Sequence, residues 1–404
     1  MYWLYNISIL IYGLVIRLAS LFNKKAKLFI KGRKGIFEQI EATTQQLEHP
    51  IWFHFASLGE FEQGRPVLEK IKTLNPNEKI VITFFSPSGY EIRKNYALAD
   101  AILYLPLDTP ANARRFVSMV KPKMSIFTKY EFWPNYFQSL ASNQIPLYII
   151  SGIFRPTQVF FKWYGGFYRN VLSYVNHFFV QNEESATLLK SIGINSIDIS
   201  GDTRFDRVYE NSLTPKELPI IEDFCKDAPI IVAGSTWHDD EKLLVRLAEE
   251  NPDWKIIIAP HEIHSSHISE IEQLFPYALK FSEINKAKVE SQVLIIDNIG
   301  MLSSLYQYGK IAYIGGGFGA GIHNTLEAAA FGMPVIFGPN YDKFQEAKDL
   351  IHIGAAISIC NSEELTSAFE YFKTNESGDI AKSYVKSKIG AMDMIINKII
   401  SLQV

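Results

Sequence analysis

Cysteine is almost missing from this chain: Cys225 and Cys360 are the only two in 404 residues. They lie far apart, match no metal-ligand spacing and cannot make a disulfide framework, which fits a reducing compartment. An excess of either sign of charge is missing too, with 40 Lys and Arg against 43 Asp and Glu. The net charge of −3 lacks the basic surplus of a nucleic-acid-binding domain, so no nucleic acid is expected as partner. Histidines are few, and His238, His264 and His267 have no carboxylate or cysteine at suitable spacing, so no metal is predicted. No short repeat recurs. What remains is 47% hydrophobic and 21% charged, the composition of a folded chain.

The length calls for two domains rather than one core. Before them, Tyr2 to Phe22 is almost wholly apolar, broken by Asn6 and Arg17, and is followed by Lys24, Lys25, Lys27, Lys31, Arg33 and Lys34. About 20 apolar residues are needed to span a bilayer, so the length just suffices. No basic stretch precedes it and no small-residue cleavage site follows it, so it reads as a retained membrane anchor, spanning or lying in the interface. The basic run suits a cytoplasmic, anionic lipid surface.

From Pro50 onward, apolar strands alternate with helical patterns, which predicts a parallel, doubly wound sheet. Expected strands include Ile51 to Phe55, Lys79 to Phe84, Met124 to Phe127 and Pro146 to Ile150. The aromatic tract Phe160 to Tyr174 reads as helical. Periodicity fades between Gly201 and Pro219, where a junction is expected, and the same architecture then starts again at Ile230. Ile380 to Leu402 has helical spacing.

The most telling stretch is Ile311 to Asn340. An apolar strand runs into Gly315, Gly316, Gly317, Gly319 and Gly321. Asn324 follows as a helix N-cap, Thr325 to Phe331 as a helix, and Gly332 and Pro334 as its end. Bare amides and a helix N-terminus aimed at one spot make an anion site, with His323 and Glu327 at its mouth. In open α/β sheets ligands sit beyond the carboxyl ends of the strands. That rule collects Glu60, Ser86, Glu131 and Arg155 from the first half, and Ser235, His261 and Gly316 to Glu327 from the second.

Seven ordered blocks now carry a resemblance: FHFASLGEFEQGRP, KYEFWPNY, SGIFRP, GDTRFDRV, GSTWHDDE, IIAPHE and GGGFGAGIHNTLEAAAFGMPVIFGPN. The chain resembles the Kdo (3-deoxy-D-manno-octulosonic acid) transferases of lipopolysaccharide biosynthesis. The resemblance implies an α/β GT-B fold: two Rossmann-like, doubly wound parallel-sheet domains facing a cleft, with an N-terminal membrane-anchor helix. The expected divisions are 1–34 for the anchor and basic segment, 35–205 for an acceptor-binding domain and 206–385 for a donor-binding domain. Residues 386–404 are expected as a C-terminal helix that can pack back on the first domain.

The implied reaction is an inverting glycosyl transfer of Kdo from CMP-Kdo to a lipid A precursor (lipid IVA) in the inner core, without cofactor or metal. The implied place is the cytoplasmic face of the inner membrane. Glu60 matches the proposed general base, and a positioned carboxylate suits removal of a hydroxyl proton. Glu131 is a second acid or acceptor-orienting group. Ser235, His261, Gly316, Gly317, Asn324 and Glu327 are expected on the donor, Glu327 at the ribose. Pro260 stands where the family usually has arginine, so another cation must substitute there. Arg155 and Arg204, with Lys129 behind them, are candidates for the sugar carboxylate, because a guanidinium binds carboxylate bidentately. Two rivals remain: a GT-B nucleotide-sugar epimerase, which would not need the anchor, and a non-catalytic nucleotide-sugar binding protein, which would not need Glu60.

Overall fold

A computed structural model describes residues 1–226, 228–286 and 291–402. By packing, the chain divides into Met1–Asp206 with Gly390–Val404, and Arg207–Ile389.

In the first unit the strands are β1 (Ile51–Phe55), β2 (Ile80–Phe84), β3 (Ala101–Tyr104), β4 (Met124–Thr128), β5 (Leu147–Gly152), β6 (His177–Val180) and β7 (Ile197–Ile199). They pair in parallel in the order β3-β2-β1-β4-β5-β6-β7. The strands are continuous apolar runs because helices cover both faces of the sheet. Trp52, Phe116, Phe127 and Tyr136 pack on one face. Phe53, Phe55, Phe61 and Ile82 pack on the other. The C-terminal helix Ala391–Ser401 belongs to this unit, with Ile395, Ile396 and Ile399 buried in the second of these cores. Asp206 fixes its start by accepting the Gly390 N–H at 2.6 Å.

In the second unit the strands are β8 (Ile230–Thr236), β9 (Lys255–Pro260), β10 (Leu279–Lys280), β11 (Val293–Ile295), β12 (Ile311–Ile314), β13 (Val335–Phe337) and β14 (Ala356–Ser358). They pair in parallel in the order β10-β11-β9-β8-β12-β13-β14. Both sheets therefore start near the middle, grow outward one way, then reverse. The reversal lies between β1 and β4 in the first sheet and between β8 and β12 in the second. Such switch points leave a crevice at the carboxyl ends of the strands.

Several local expectations need correction. The aromatic tract is not one helix: a 3-10 turn at Val159–Phe161 precedes a short helix, Gly166–Leu172, because the Gly165-Gly166 pair breaks the run. The C-terminal pattern is two helices, Ser377–Ser387 and Ala391–Ser401, parted by Gly390 in left-handed backbone at φ 112°. The two-residue β10 has too little apolar sequence to announce itself. The helix after β1 begins at Leu58, which puts Glu60 in its first turn.

The N-terminal helix, Tyr2–Ala19, is long and apolar enough by length and composition to cross a membrane. It is also docked along one side on its own unit. Tyr5 Oη donates to Asp108 Oδ2 at 2.6 Å, and Asn135 Nδ2 donates to Asn6 Oδ1 at 2.9 Å. Ile9 and Gly13 are buried. Trp3, Ile7, Leu10, Leu14 and Leu18 are exposed. Their spacing of three and four residues makes one bare apolar stripe.

Candidate active site

At the first switch point β1 and β4 lie side by side, and each ends in a carboxylate. Beyond β1 the chain turns into the helix Leu58–Leu74, where Glu60 reaches back so that its Oε2 accepts the Ala56 N–H at 2.6 Å. Beyond β4, Lys129 takes left-handed backbone at φ 58° and swings the following Glu131 inward. Glu131 Oε2 accepts the Trp133 indole N–H at 2.9 Å and lies 3.3 Å from His54 Nε2. Burial, then the charge of Glu131, pushes the Glu60 carboxyl up to about 8, against the pull of the Ala56 N–H and Lys129. A carboxylate tuned this high is a far better proton acceptor near neutral pH than one in water.

His54 went unnoticed in the sequence because it sits inside an apolar run. The structure buries it completely at the middle of β1. Burial lowers its proton affinity, so the ring is neutral at pH 7.

The two arginines differ. Arg204 donates from Nε and Nη2 to Asp202 Oδ2 at 2.9 and 2.7 Å, so its fork is occupied by a neighbouring carboxylate. Arg155, exposed beyond β5, donates from Nη1 to Tyr130 Oη at 3.0 Å and has its guanidinium 5.8 Å from the Tyr130 ring. Among the described residues no carboxylate pairs with Arg155. Ser86, beyond β2, bonds Ser88 Oγ at 2.6 Å.

At the second switch point Ser235 holds left-handed backbone at φ 54°, where β8 breaks register with β9. Strain of this kind, at Lys129 in one sheet and Ser235 in the other, collects at functional sites. Trp237, His261 and His323 then stack: Trp237 and His261 lie 4.8 Å apart at 27°, His261 and His323 4.2 Å apart at 22°. The Trp237 indole donates to His323 Nε2 at 3.2 Å. Burial, then His261, holds the His323 imidazole down to about 4, so it stays neutral. A neutral aromatic platform of this kind can stack on a planar base.

The glycine loop departs from expectation in three ways. The Gly316 N–H is not free: it donates to Asp240 Oδ2 at 2.9 Å, because Gly316 at φ 90° turns its amide inward. Asp240 also accepts Tyr313 Oη at 2.8 Å. Gly317 is glycine for a packing reason as well, since a Cβ there would meet the Gly338 backbone at 2.6 Å. The helix is shorter, Leu326–Ala330, with Thr325 at its N-cap rather than Asn324. Asn324 still serves the terminus, with Oδ1 accepting the Leu326 N–H at 3.1 Å. Its Nδ2 donates to Glu327 Oε1 at 2.9 Å. A helix of five residues contributes little dipole, so local amides carry any anion binding here.

Glu327 is pushed up by burial, against Asn324 and Arg207. Arg207, inside the GDTRFDRV block, was missed by sequence reasoning because nothing local links it to Glu327, 120 residues on. Among the described residues no three His, Cys, Asp or Glu side chains are grouped to hold a metal. His264 and His238 each lie near a single glutamate, and His267 near Glu241 and the Glu262 carbonyl.

Residues 30–207 match the family model of the 3-deoxy-D-manno-octulosonic-acid transferase (kdotransferase). A 3-deoxy-D-manno-octulosonic acid transferase of Aquifex aeolicus is 28% identical over 78% of this chain and 83% of its own. One from Rickettsia bellii is 26% identical over 96% and 94%. Among solved structures, a UDP-GlcNAc 2-epimerase from Neisseria meningitidis has a TM-score of 0.60 at 16% identity, covering 87% of this chain and 100% of its own. A glycosyltransferase from Rickettsia africae has 0.55 at 12%, covering 88% and 98%. These structural likenesses concern the fold alone.

Two doubly wound parallel units, each with a crevice at its switch point, give this chain the GT-B fold. The sequence relatives narrow the likeness: the chain is similar to the Kdo transferases, through the family model over residues 30–207 and through relatives 26–28% identical over most of its length.

Proposed function

We propose that the chain transfers Kdo from CMP-Kdo to a lipid A precursor, lipid IVA, with inversion and without a metal. The Glu60–Glu131 pair carries this reading: two carboxylates at the first switch point, one with its proton affinity raised to the range of a general base. The hydroxyl oxygen of the acceptor attacks the anomeric carbon of Kdo and its proton passes to Glu60. The bond from that carbon to the CMP phosphate oxygen breaks, and CMP leaves with the electron pair. Glu131 orients the acceptor hydroxyl. Arg155 binds the Kdo carboxylate.

On the donor side, the Ser235 turn and the Gly317 amide receive the phosphate, and the Trp237–His261–His323 stack supports the base. Glu327, oriented by Asn324, takes the ribose hydroxyls. Arg207 supplies the positive charge that Pro260 does not. The Arg207–Ile389 unit is thus the donor domain, and the Met1–Asp206 unit the acceptor domain.

The bare apolar stripe of Tyr2–Ala19, with the lysines after it, holds the enzyme on the cytoplasmic face of the inner membrane. The helix lies in the plane of the interface, since its other side is hydrogen-bonded to the acceptor domain. Purified enzyme given CMP-Kdo and the lipid acceptor in EDTA tests the reading. Kdo-bearing lipid and free CMP support it; CMP release without glycosylated lipid refutes it.

A further inference from the structure

Beneath Glu131 lies a group that the proposed chemistry does not use. A buried histidine in a central strand is costly unless bonded, and an apolar residue would fill the space with less loss. The neighbours of His54 fix where its proton sits. The Trp52 indole donates to Thr83 Oγ1 at 2.8 Å and occupies one lone pair. The Thr83 hydroxyl then has two acceptors in range, His54 Nδ1 at 2.8 Å and the Phe53 carbonyl at 3.5 Å. The shorter contact takes the hydroxyl proton, so Nδ1 accepts and Nε2 carries hydrogen. That Nε2–H faces Glu131 Oε2 at 3.3 Å. The Trp133 indole N–H lies 2.9 Å from Glu131 Oε2 and 3.2 Å from His54 Nε2, and the shorter contact, to the carboxylate, takes its hydrogen.

We propose that His54 is a positioning residue: locked by Thr83 as the Nε2–H tautomer, it donates to Glu131 and holds that side chain in place beside Glu60. This rests on the reading of Glu60 as base. The other titratable groups facing the cluster are Tyr12 toward Glu131, Lys129 and Tyr130 toward Glu60, and Arg33 toward His54. Arg33 is tied to the carbonyls of Phe29, Phe85 and Leu105.

The test is kcat against pH for wild type, His54→Gln, His54→Leu and Thr83→Val, with folding of each checked by thermal unfolding. Glutamine keeps an N–H near the place of Nε2; leucine does not; valine removes the hydroxyl that selects the tautomer. Without the donor the Glu131 side chain is no longer held beside Glu60, and its charge raises the Glu60 carboxyl less. The acidic limb, where activity is lost on acidification, then moves down by about one pH unit in His54→Leu and Thr83→Val, and kcat on the plateau falls about tenfold. His54→Gln keeps the limb of the wild type. A uniform loss at every pH with the limb unmoved overturns the proposal, and His54 is then only packing. Should His54→Leu not fold, Thr83→Val against His54→Gln decides by the same shift. Glu60→Gln separates the two claims: if it retains wild-type activity and the same limb, Glu60 is not the base, and the proposal falls with that reading.

Discussion

A carboxylate is a poor base in water; burial first, and then the charge of Glu131, raises the Glu60 carboxyl to about 8, the range a general base needs. Glu60→Gln keeps the shape and removes the base, so kcat should fall about 10²–10⁴-fold while donor binding persists; rapid-quench kinetics beside CMP-Kdo titration would check both. The sign of the pH dependence follows from the raised Glu60 value of about 8. Activity should climb as pH rises through that region and be lost below it, and a flat profile down to pH 5 would contradict the assignment.

The arginines separate by partner. Arg155→Ala should raise KM for the donor about tenfold or more, as loss of a charged hydrogen bond does. Arg204→Ala should instead lower Tm by exposing Asp202 as an unpaired, largely buried acid. Glu60 and Glu131 were legible as strand-end acids. Their pairing, and His54 beneath them, depend on β1 lying against β4, a contact 70 residues apart that no local pattern encodes.

Among the elements, the glycine loop was recognised correctly as strand, loop and helix but for an incomplete reason. Its glycines permit close main-chain packing as much as ligand approach. Gly317→Ala should therefore destabilise the protein by several kcal/mol, as forced overpacking does, and a melt unchanged within about 1 °C would show that the Gly338 backbone gives way easily. The inward turn of the Gly316 amide toward Asp240 was invisible beforehand because it needs the helix His238–Glu250 from elsewhere in the unit. The N-terminal helix shows the same limit. Hydropathy gave its length, while Asp108 and Asn135 decide which side is docked. Leu10→Asp with Leu14→Asp should cut binding to anionic vesicles by tenfold or more in a flotation assay, each apolar side chain being worth about 1.5–3 kcal/mol when buried. Unchanged flotation would move the membrane contact elsewhere.

At the scale of the whole molecule, the chain repeats one topology twice and puts a different kind of site at each switch point. In the first unit it holds two carboxylates, Glu60 and Glu131; in the second it is aromatic and glycine-rich. Alternation of strands and helices was enough to read the parallel sheets, because parallel strands buried on both faces need long apolar runs. Where helices were interrupted, at Gly165-Gly166 and Gly390, the reading failed, since single glycines were outweighed by strong flanking apolar spacing. The measurement that bears most directly on the central claim is mass analysis of lipid products after wild type and Glu60→Gln are each given CMP-Kdo and lipid IVA in EDTA. Kdo-bearing lipid from the wild type alone is the predicted result. Equal product from both, or none from a wild type that still binds CMP-Kdo, would contradict it.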